Sequence, residues 1–166
     1  MTLQKIAVQS ESEVQQLFDV VQDIWQEVFT PIIGEKQVAY MLKNYQSIEN
    51  IQSEIANQAN YFLLSYNDQF VGYTAYEETE EQIYISKLYL SSNLRGKGLS
   101  SCIFNWYEEI GEGKTLHLNV NQGNKLAIAV YEHRGFTQVG ERYVDIGEGY
   151  VMNDYIYEKE IKKTEA

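Results

Sequence analysis

The most constraining feature of this sequence is a basic, glycine-bearing loop, Arg95-Gly96-Lys97-Gly98-Leu99-Ser100, between a strand-like and a helix-like segment. Residues 83–90 are rich in β-branched and aromatic side chains, and residues 100–110 repeat apolar side chains at helical spacing. Two glycines let the backbone approach a ligand, and a helix start offers unpaired N–H groups and a positive dipole end to an anion. With the charges of Arg95 and Lys97, the loop predicts phosphate binding. The alternative is a basic surface loop that opens a helix.

Two common phosphate-binding loops are excluded by the residues present. A Walker A loop requires Gly-Lys-Ser/Thr and an upstream glycine, whereas Gly98 follows Lys97 and Ser91 occupies the upstream position. The dinucleotide fingerprint requires an acidic residue about 20 positions later, where this chain has Leu116-His117-Leu118-Asn119. We therefore expect neither of these two loops.

The chain is acidic, with 24 Asp and Glu against 13 Lys and Arg in 166 residues, which gives a net charge of −11. Nonspecific binding to DNA, RNA or anionic lipid needs a basic footprint, so these partners are excluded. The chain is 44% hydrophobic and 13% aromatic, which predicts one globular domain over residues 1–166 rather than disorder. We expect an acidic chain of this kind to bind a cationic partner.

The cysteine, histidine and apolar patterns limit the environment of the chain. The single Cys102 cannot form an intrachain disulfide, and with only His117 and His133 the chain cannot build a structural zinc cluster, so we expect no metal. Residues 1–10 lack the apolar stretch of a signal peptide, and no segment approaches the roughly 18 apolar residues of a membrane helix. We expect a soluble cytoplasmic protein.

Hydrophobic periodicity predicts helices and strands along the whole chain. The predicted helices are one from a Ser10/Glu13 capping box to near Pro31, two short ones after Gly34 and from about Ser47, 100–110 and 125–134. The predicted strands are 3–8, a hairpin of 61–66 and 70–76 around Asn67-Asp68, 83–90, 115–121, and an antiparallel pair, 136–145 and 150–161. The apolar residues of 83–90 change parity between Ile85 and Leu88, which predicts a β-bulge.

Residues 83–136 contain, in order, the segments Arg95-Gly96-Lys97-Gly98-Leu99-Ser100, Leu118-Asn119-Val120-Asn121, Asn124, Ala127, Tyr131-Glu132 and Gly135-Phe136. In this order and spacing they resemble the GCN5-related N-acetyltransferase (GNAT) family. Ser100 replaces the usual Gly or Ala at the end of the loop, and its small side chain still permits close approach. The resemblance implies an α/β (α+β) fold with a mixed, mostly antiparallel sheet of about seven strands, helices on both faces, and a splayed parallel strand pair that binds acetyl-CoA.

The resemblance also implies a role for each site residue. The pantetheine arm of acetyl-CoA lies along Leu88, Tyr89 and Leu90, and a backbone N–H near Leu90 stabilises the oxyanion. The pyrophosphate rests on Arg95, Gly96, Lys97, Gly98, Leu99 and Ser100. Asn124 caps a helix and contacts the cofactor, and Tyr131, about two turns further on, is the general-acid candidate.

The general base is not identified by the sequence. His117, Glu77, Glu78 and a water held by Asn119 are all open. Cys102 has no nearby histidine in sequence, so direct transfer in a ternary complex is favoured over a covalent intermediate. Acidic and aromatic residues on the last hairpin could border the acceptor: Tyr143, Asp145, Glu148, Tyr150 and Asp154.

The function implied by the resemblance is acetyl transfer from acetyl-CoA to a primary amine, with a small cation such as a polyamine as acceptor. Segments 135–140 and 154–159 also resemble bacterial spermine/spermidine acetyltransferases. Two alternatives remain open: a noncatalytic acyl-CoA sensor, and an acetyltransferase acting on a protein N-terminus or lysine. Dimers are common in this family, which makes a homodimer an expectation, but the chain identifies no interface.

Overall fold

The computed structural model describes residues 3–91 and 98–163 of the chain. The strands in this part are β1 (Gln4–Ala7), β2 (Asn60–Tyr66), β3 (Gln69–Glu78), β4 (Gln82–Leu90), β5 (Thr115–Asn121), β6 (Thr137–Gly147) and β7 (Tyr150–Glu160). The helices are α1 (Glu11–Ile33), α2 (Glu35–Asn44), α3 (Ile48–Ala56), α4 (Leu99–Ile110) and α5 (Lys125–His133). The element order agrees with the prediction, and most boundaries lie within two residues of it.

The strands are hydrogen-bonded in the order β1-β2-β3-β4-β5-β7-β6. Strands β4 and β5 run parallel, with Gln82–Tyr84 opposite Thr115–His117, whereas β1–β2, β2–β3, β5–β7 and β6–β7 are antiparallel. The predicted mixed sheet with one parallel pair is therefore confirmed. Both strands of that pair continue beyond the three paired positions, β4 to Leu90 and β5 to Asn121.

The chain divides into two compact units. The first contains Met1–Glu77 and Lys87–Cys102, and the second contains Glu78–Ser86 and Ile103–Ala166. The expectation of a single domain over residues 1–166 stays a prediction, and each unit is described separately below.

In the first unit, α1 begins with the predicted capping box. The Ser10 hydroxyl accepts from the Glu13 N–H at 3.1 Å, and the Glu13 carboxylate accepts from the Ser10 N–H at 2.9 Å. The helix ends at Ile33, two residues beyond Pro31. Proline lacks an N–H and is poorly placed in a helix interior, but here it lies in the last turn, where Gly34, at φ +86°, donates to the Thr30 carbonyl and ends the helix.

The predicted hairpin of the first unit is confirmed. Asn67 and Asp68 adopt φ +54° and +62°, which is the two-residue turn that suits twisted strands. The core of this unit is formed by one face of α1, parts of α2 and α3, and residues of β2 and β3: Val14, Leu17, Val21, Ile24, Trp25, Phe29, Val38, Met41, Ile51, Leu63, Leu64 and Tyr73.

In the second unit, β5 alternates as predicted. Leu116, Leu118 and Val120 are buried, and His117, Asn119 and Asn121 are half-buried on the other face. The β6–β7 hairpin turns at Glu148-Gly149, with φ +57° and +79°. Register shifts occur between Leu64 and Ser65 in β2, and at two places in β6. The bulge predicted in β4 stays a prediction.

Candidate active site

The predicted site residues divide between the two units. The first unit contains Leu88, Tyr89, Leu90, Gly98, Leu99 and Ser100, and the second contains Asn124 and Tyr131. Arg95, Gly96 and Lys97, predicted to hold the pyrophosphate, lie outside the described residues. The geometry of each unit therefore supports a different part of the predicted chemistry.

The end of β4 is anchored by its tyrosine. The Tyr89 ring lies edge-on to Phe29 at 5.6 Å and is tilted against Tyr73 at 5.4 Å between ring centroids. Leu88 and Leu90 are half-buried. In β3, an added Cβ at Gly72 would overlap the Tyr89 carbonyl oxygen and lie 3.0 Å from the Leu90 side chain. Gly72 thus allows β3 and β4 to approach closely, a role that the sequence analysis missed.

The described end of the basic loop contains a glycine with positive φ. Gly98 adopts φ +72°, is exposed, and would have open space around an added Cβ. Leu99, which begins α4, is 4% exposed, and Ser100 is half-buried. The Leu99 side chain is therefore a packing residue, and any ligand contact of Leu99 must come from its backbone N–H.

Asn124 begins α5 as predicted. Its side-chain oxygen accepts from the Ala127 N–H at 3.3 Å, which is an N-cap contact. Capping is therefore shown for this residue, whereas cofactor contact stays a prediction.

Tyr131 has a buried ring and an unpaired hydroxyl. The ring packs against Phe104 and Phe136, each at 5.8 Å between centroids. The hydroxyl makes no hydrogen bond to residues 3–91 or 98–163. Burial raises the pKa of Tyr131 to about 12. At neutral pH the group is a protonated donor with its hydrogen available.

His117 is held by a carboxylate. Its Nδ1 lies 2.7 Å from Oε2 of Glu158. In the tautomer whose Nδ1–H donates to this carboxylate, Nε2 is the ring nitrogen without a hydrogen. The Tyr84 ring lies edge-on to His117 at 5.6 Å, and the Tyr84 hydroxyl accepts from Asn119 Nδ2 at 3.3 Å.

Asn119 leaves one buried polar atom unpaired. Its Oδ1 has no hydrogen-bond partner within the described part of the chain. A buried carbonyl without a donor is costly, so this oxygen fits an N–H or a bound water in the working complex. The His117 face of β5 therefore contains both a basic nitrogen and an unfilled acceptor.

The two acidic base candidates lie exposed at the end of β3. Glu78 pairs with Lys114 at 2.6 Å, and Glu77 is exposed beside it. Cys102, considered above as a nucleophile, is a free, exposed thiol on α4.

The acidic residues of the last hairpin fall into two groups. Asp145 and Glu148 are exposed, and Tyr143 is 71% exposed. Asp154 differs, because it is only 2% exposed, and burial raises the pKa of its carboxyl while Arg142 lowers it. The tip of this hairpin is therefore solvated, whereas Asp154 is buried.

A second titratable cluster was not predicted. Lys87 of β4 lies 3.8 Å from Glu54 of α3, and its side chain is 12% exposed. Burial lowers the pKa of Lys87, and the charges of Glu54 and Glu77 oppose that change. The nearby Tyr61 hydroxyl is buried and unpaired, and its pKa is raised by burial first and by the Glu54 charge second. A lysine within an apolar strand was the sequence feature that marked this cluster.

A groove of about 730 Å³ lies between α1 and α2. Its lining residues include Gln22, Gln26, Glu35 and Lys43 and none of the predicted site residues.

Over residues 3–91 and 98–163, no helix is long and apolar enough to cross a membrane. The same part of the chain contains no group of three or more His, Cys, Asp or Glu that could hold a metal ion.

Solved structures with the same fold include several acetyltransferases. The PaiA N-acetyltransferase of Thermoplasma acidophilum, in complex with coenzyme A, is 18% identical with a TM-score of 0.76, and the match covers 96% of this chain and 99% of that one. Naa50 of Arabidopsis thaliana, in complex with the bisubstrate analogue CoA-Ac-MVNAL, is 21% identical with a TM-score of 0.64 and coverages of 96% and 99%. The ribosomal-protein-S18-alanine N-acetyltransferase of Escherichia coli is 16% identical, with a TM-score of 0.66 and coverages of 99% and 96%. These likenesses show the fold.

The family assignment rests on a separate comparison. No curated protein matches the chain. The family model of the acetyltransferase (GNAT) domain, however, matches residues 29–152, which is most of the sequence. The chain therefore belongs to the GNAT family and is an acetyl-CoA-dependent N-acetyltransferase.

Proposed function

We propose that this enzyme transfers the acetyl group of acetyl-CoA to a primary amine of a small cation, such as a polyamine, by direct attack in a ternary complex. The observation that carries the proposal is Tyr131, a buried phenol with a pKa of about 12 and a hydroxyl unpaired among the described residues. The same unit contains the imidazole–carboxylate pair of His117 and Glu158. A proton donor and a proton acceptor are the two groups that this reaction needs.

The cofactor-binding part of the proposal follows the resemblance residue by residue. Leu88, Tyr89 and Leu90 would line the pantetheine arm, and Asn124 would contact it. Arg95, Gly96, Lys97, Gly98, Leu99 and Ser100 would bind the pyrophosphate. The positive φ of Gly98 and the helix that starts at Leu99 support this role, because a helix start exposes N–H groups to an anion.

We assign the general base to His117. Its Nε2 would take the proton of the acceptor ammonium, and the Glu158 carboxylate would stabilise the resulting imidazolium. The unpaired Oδ1 of Asn119, two residues further along β5, would accept from the amine or from a water beside it.

The reaction converts an ammonium and acetyl-CoA into an amide, a thiol and one released proton. His117 takes one proton from the ammonium and passes it to solvent, and the neutral nitrogen then forms a bond to the carbonyl carbon while a backbone N–H near Leu90 stabilises the oxyanion. The nitrogen gives its second proton to His117, the C–S bond breaks, and Tyr131 gives its proton to the departing thiolate. Before the next cycle, His117 releases its proton to solvent and the Tyr131 phenolate takes one up.

The acceptor class rests on charge. A net charge of −11 attracts small cations and disfavours polyanions. The free, exposed Cys102 is compatible with a reducing compartment, and we place the reaction in the cytoplasm.

Thiol release from acetyl-CoA tests the proposal. Spermidine, spermine, short diamines, amino acids, a lysine peptide and a peptide with a free N-terminus would each be supplied to wild type, Tyr131→Phe and the control Tyr45→Phe. We expect release with the polyamines that is strongly reduced in Tyr131→Phe and kept in Tyr45→Phe, whose residue is an exposed tyrosine of the first unit. Release with the peptides alone would show that the acceptor is a protein amine rather than a polyamine. Tight acetyl-CoA binding without release for any acceptor would favour a sensor.

A further inference from the structure

Asp154 of β7 is buried without the contacts that a buried carboxylate needs. It is 2% exposed, and its carboxylate accepts no hydrogen bond from residues 3–91 or 98–163. The nearest cation there is Arg142 Nη1, at 3.9 Å from Oδ2, on a side chain that is itself 41% exposed. An ionised carboxylate in such a place requires close donors or a close cation. One long ion pair is weak compensation.

The carboxylate nevertheless keeps an opening to solvent. The described polar atoms that are both sealed and unpaired are Tyr61 Oη, Asn119 Oδ1 and Arg134 Nε, and the Asp154 oxygens are not among them. Because these oxygens are unpaired yet not sealed, a small donor can reach them.

Strand register places Asp154 on the sheet face of the proposed base. In β7, Glu158 lies opposite His117 and Asp154 lies opposite Asn121. Residues two apart in a strand share a face, so Asp154, Ile156 and Glu158 face the same side as His117. Four residues of strand separate Asp154 from Glu158, which is roughly 13 Å between their Cα atoms.

We propose that Asp154 binds a second ammonium group of the acceptor, so that the substrate is a long linear polyamine whose far nitrogen is held while the near one reacts. This inference rests on the proposed function. An extended chain advances about 3.5 Å for every three bonds, so nitrogens nine bonds apart, as at the two ends of spermidine, lie about 11 Å apart. In a three-carbon diamine the separation is only about 5 Å. The longer molecule spans the two groups, and the shorter one does not.

A bound ammonium would make a closer contact with the Asp154 carboxylate than Arg142 does. It would approach the carboxylate to about 2.8 Å and donate hydrogen bonds, which Arg142 does not do at 3.9 Å. Removing the charge of Asp154 should therefore weaken the binding of acceptors with a distant second nitrogen and spare monoamines.

The test is steady-state kinetics of Asp154→Asn with spermidine, 1,3-diaminopropane and butylamine. The matched control is Glu141→Gln, which removes one exposed carboxylate from the neighbouring strand. In Asp154→Asn we expect the KM for spermidine to rise about tenfold or more, as for loss of one charged hydrogen bond. The KM for butylamine and for acetyl-CoA should stay within about twofold, and Glu141→Gln should leave all three unchanged. Retained butylamine turnover also shows that the variant is folded.

Three results would overturn the inference. A KM for spermidine that is unchanged in Asp154→Asn removes the contact. An equal rise for spermidine and butylamine shows a structural effect instead. Wild-type turnover of peptides or monoamines without any preference for spermidine overturns the inference while leaving an acetyltransferase, whereas no turnover of any amine overturns the proposed function as well.

Discussion

Replacing Tyr131 with phenylalanine tests the proton donor most directly. The change removes one oxygen and keeps the ring that packs against Phe104 and Phe136. Since the hydroxyl has no hydrogen bond to a described residue, its removal leaves none of their groups unpaired. We therefore expect the free energy of unfolding at pH 7 to change by less than about 1 kcal/mol.

The expected loss of activity follows from the charge that develops on sulfur. A hydrogen bond to a charged group is worth about 1.5–3 kcal/mol, which corresponds to roughly a 10- to 150-fold lower kcat. The KM for acetyl-CoA should change by less than about twofold, because the contact forms only as the C–S bond breaks. The assay is thiol release at saturating acetyl-CoA, with Tyr45→Phe as the control and calorimetry for cofactor binding.

The pKa of Tyr131 adds a second readout. A thiol ordinarily titrates near 8.5, so a phenol at about 12 holds its proton more tightly by roughly 3.5 pH units. Transfer of this proton to sulfur is therefore uphill, and reprotonation of the phenolate by solvent must complete the step. Wild type should then show a larger solvent deuterium isotope effect on kcat than Tyr131→Phe. A kcat within about threefold of wild type in Tyr131→Phe would refute the assignment.

Four further outcomes are expected. The pKa of Tyr131 is about 12 in the folded chain against 10 when unfolded, so its titration leaves stability unchanged below pH 10 and lowers it by about 3 kcal/mol as the pH rises from 10 through 12. Urea unfolding should therefore show wild type losing more stability than Tyr131→Phe between pH 9 and pH 12. Tyr73→Phe leaves the buried Trp25 Nε1–H without its 2.8 Å acceptor, and we expect a loss of about 1–3 kcal/mol in the same assay. Gly72→Ala places a Cβ against the β4 backbone, so both the melting temperature and acetyl-CoA affinity should fall; unchanged affinity would separate β4 from the cofactor site. His117→Gln should lower kcat by roughly 10²- to 10⁴-fold without weakening acetyl-CoA binding. A near-normal kcat would show that another group is the general base.

Local patterns predicted most of the fold. The capping box at Ser10, the Asn67-Asp68 turn and the alternation of β5 each depend on residues close in sequence, and all three are present in the structure. The end of α1 lies two residues beyond Pro31, because the glycine geometry at Gly34, rather than Pro31, decides where the helix stops. Helices and turns with strong local sequence signals could therefore be predicted from the sequence.

Only those parts of the candidate site that belong to short sequence motifs could be predicted. Asn124 and Tyr131 lie on one helix, where spacing alone relates them, and Gly98 has a positive φ, which glycine adopts readily. The role of Gly72 was invisible, because it depends on the approach of another strand. The pairing of Lys87 with Glu54 likewise joins a strand to a helix more than thirty positions earlier in the chain.

By itself the sequence determined the order of the elements, the family resemblance, the acidic charge and the candidate acid. Tertiary structure alone pairs His117 with a carboxylate, because it brings Glu158 from 41 residues away to within 2.7 Å. It also distinguished Asp154, buried at 2% exposure, from acidic residues of the same hairpin that remain solvated. The physical reason is that burial and pairing depend on strand register between distant segments, and no local pattern records that register.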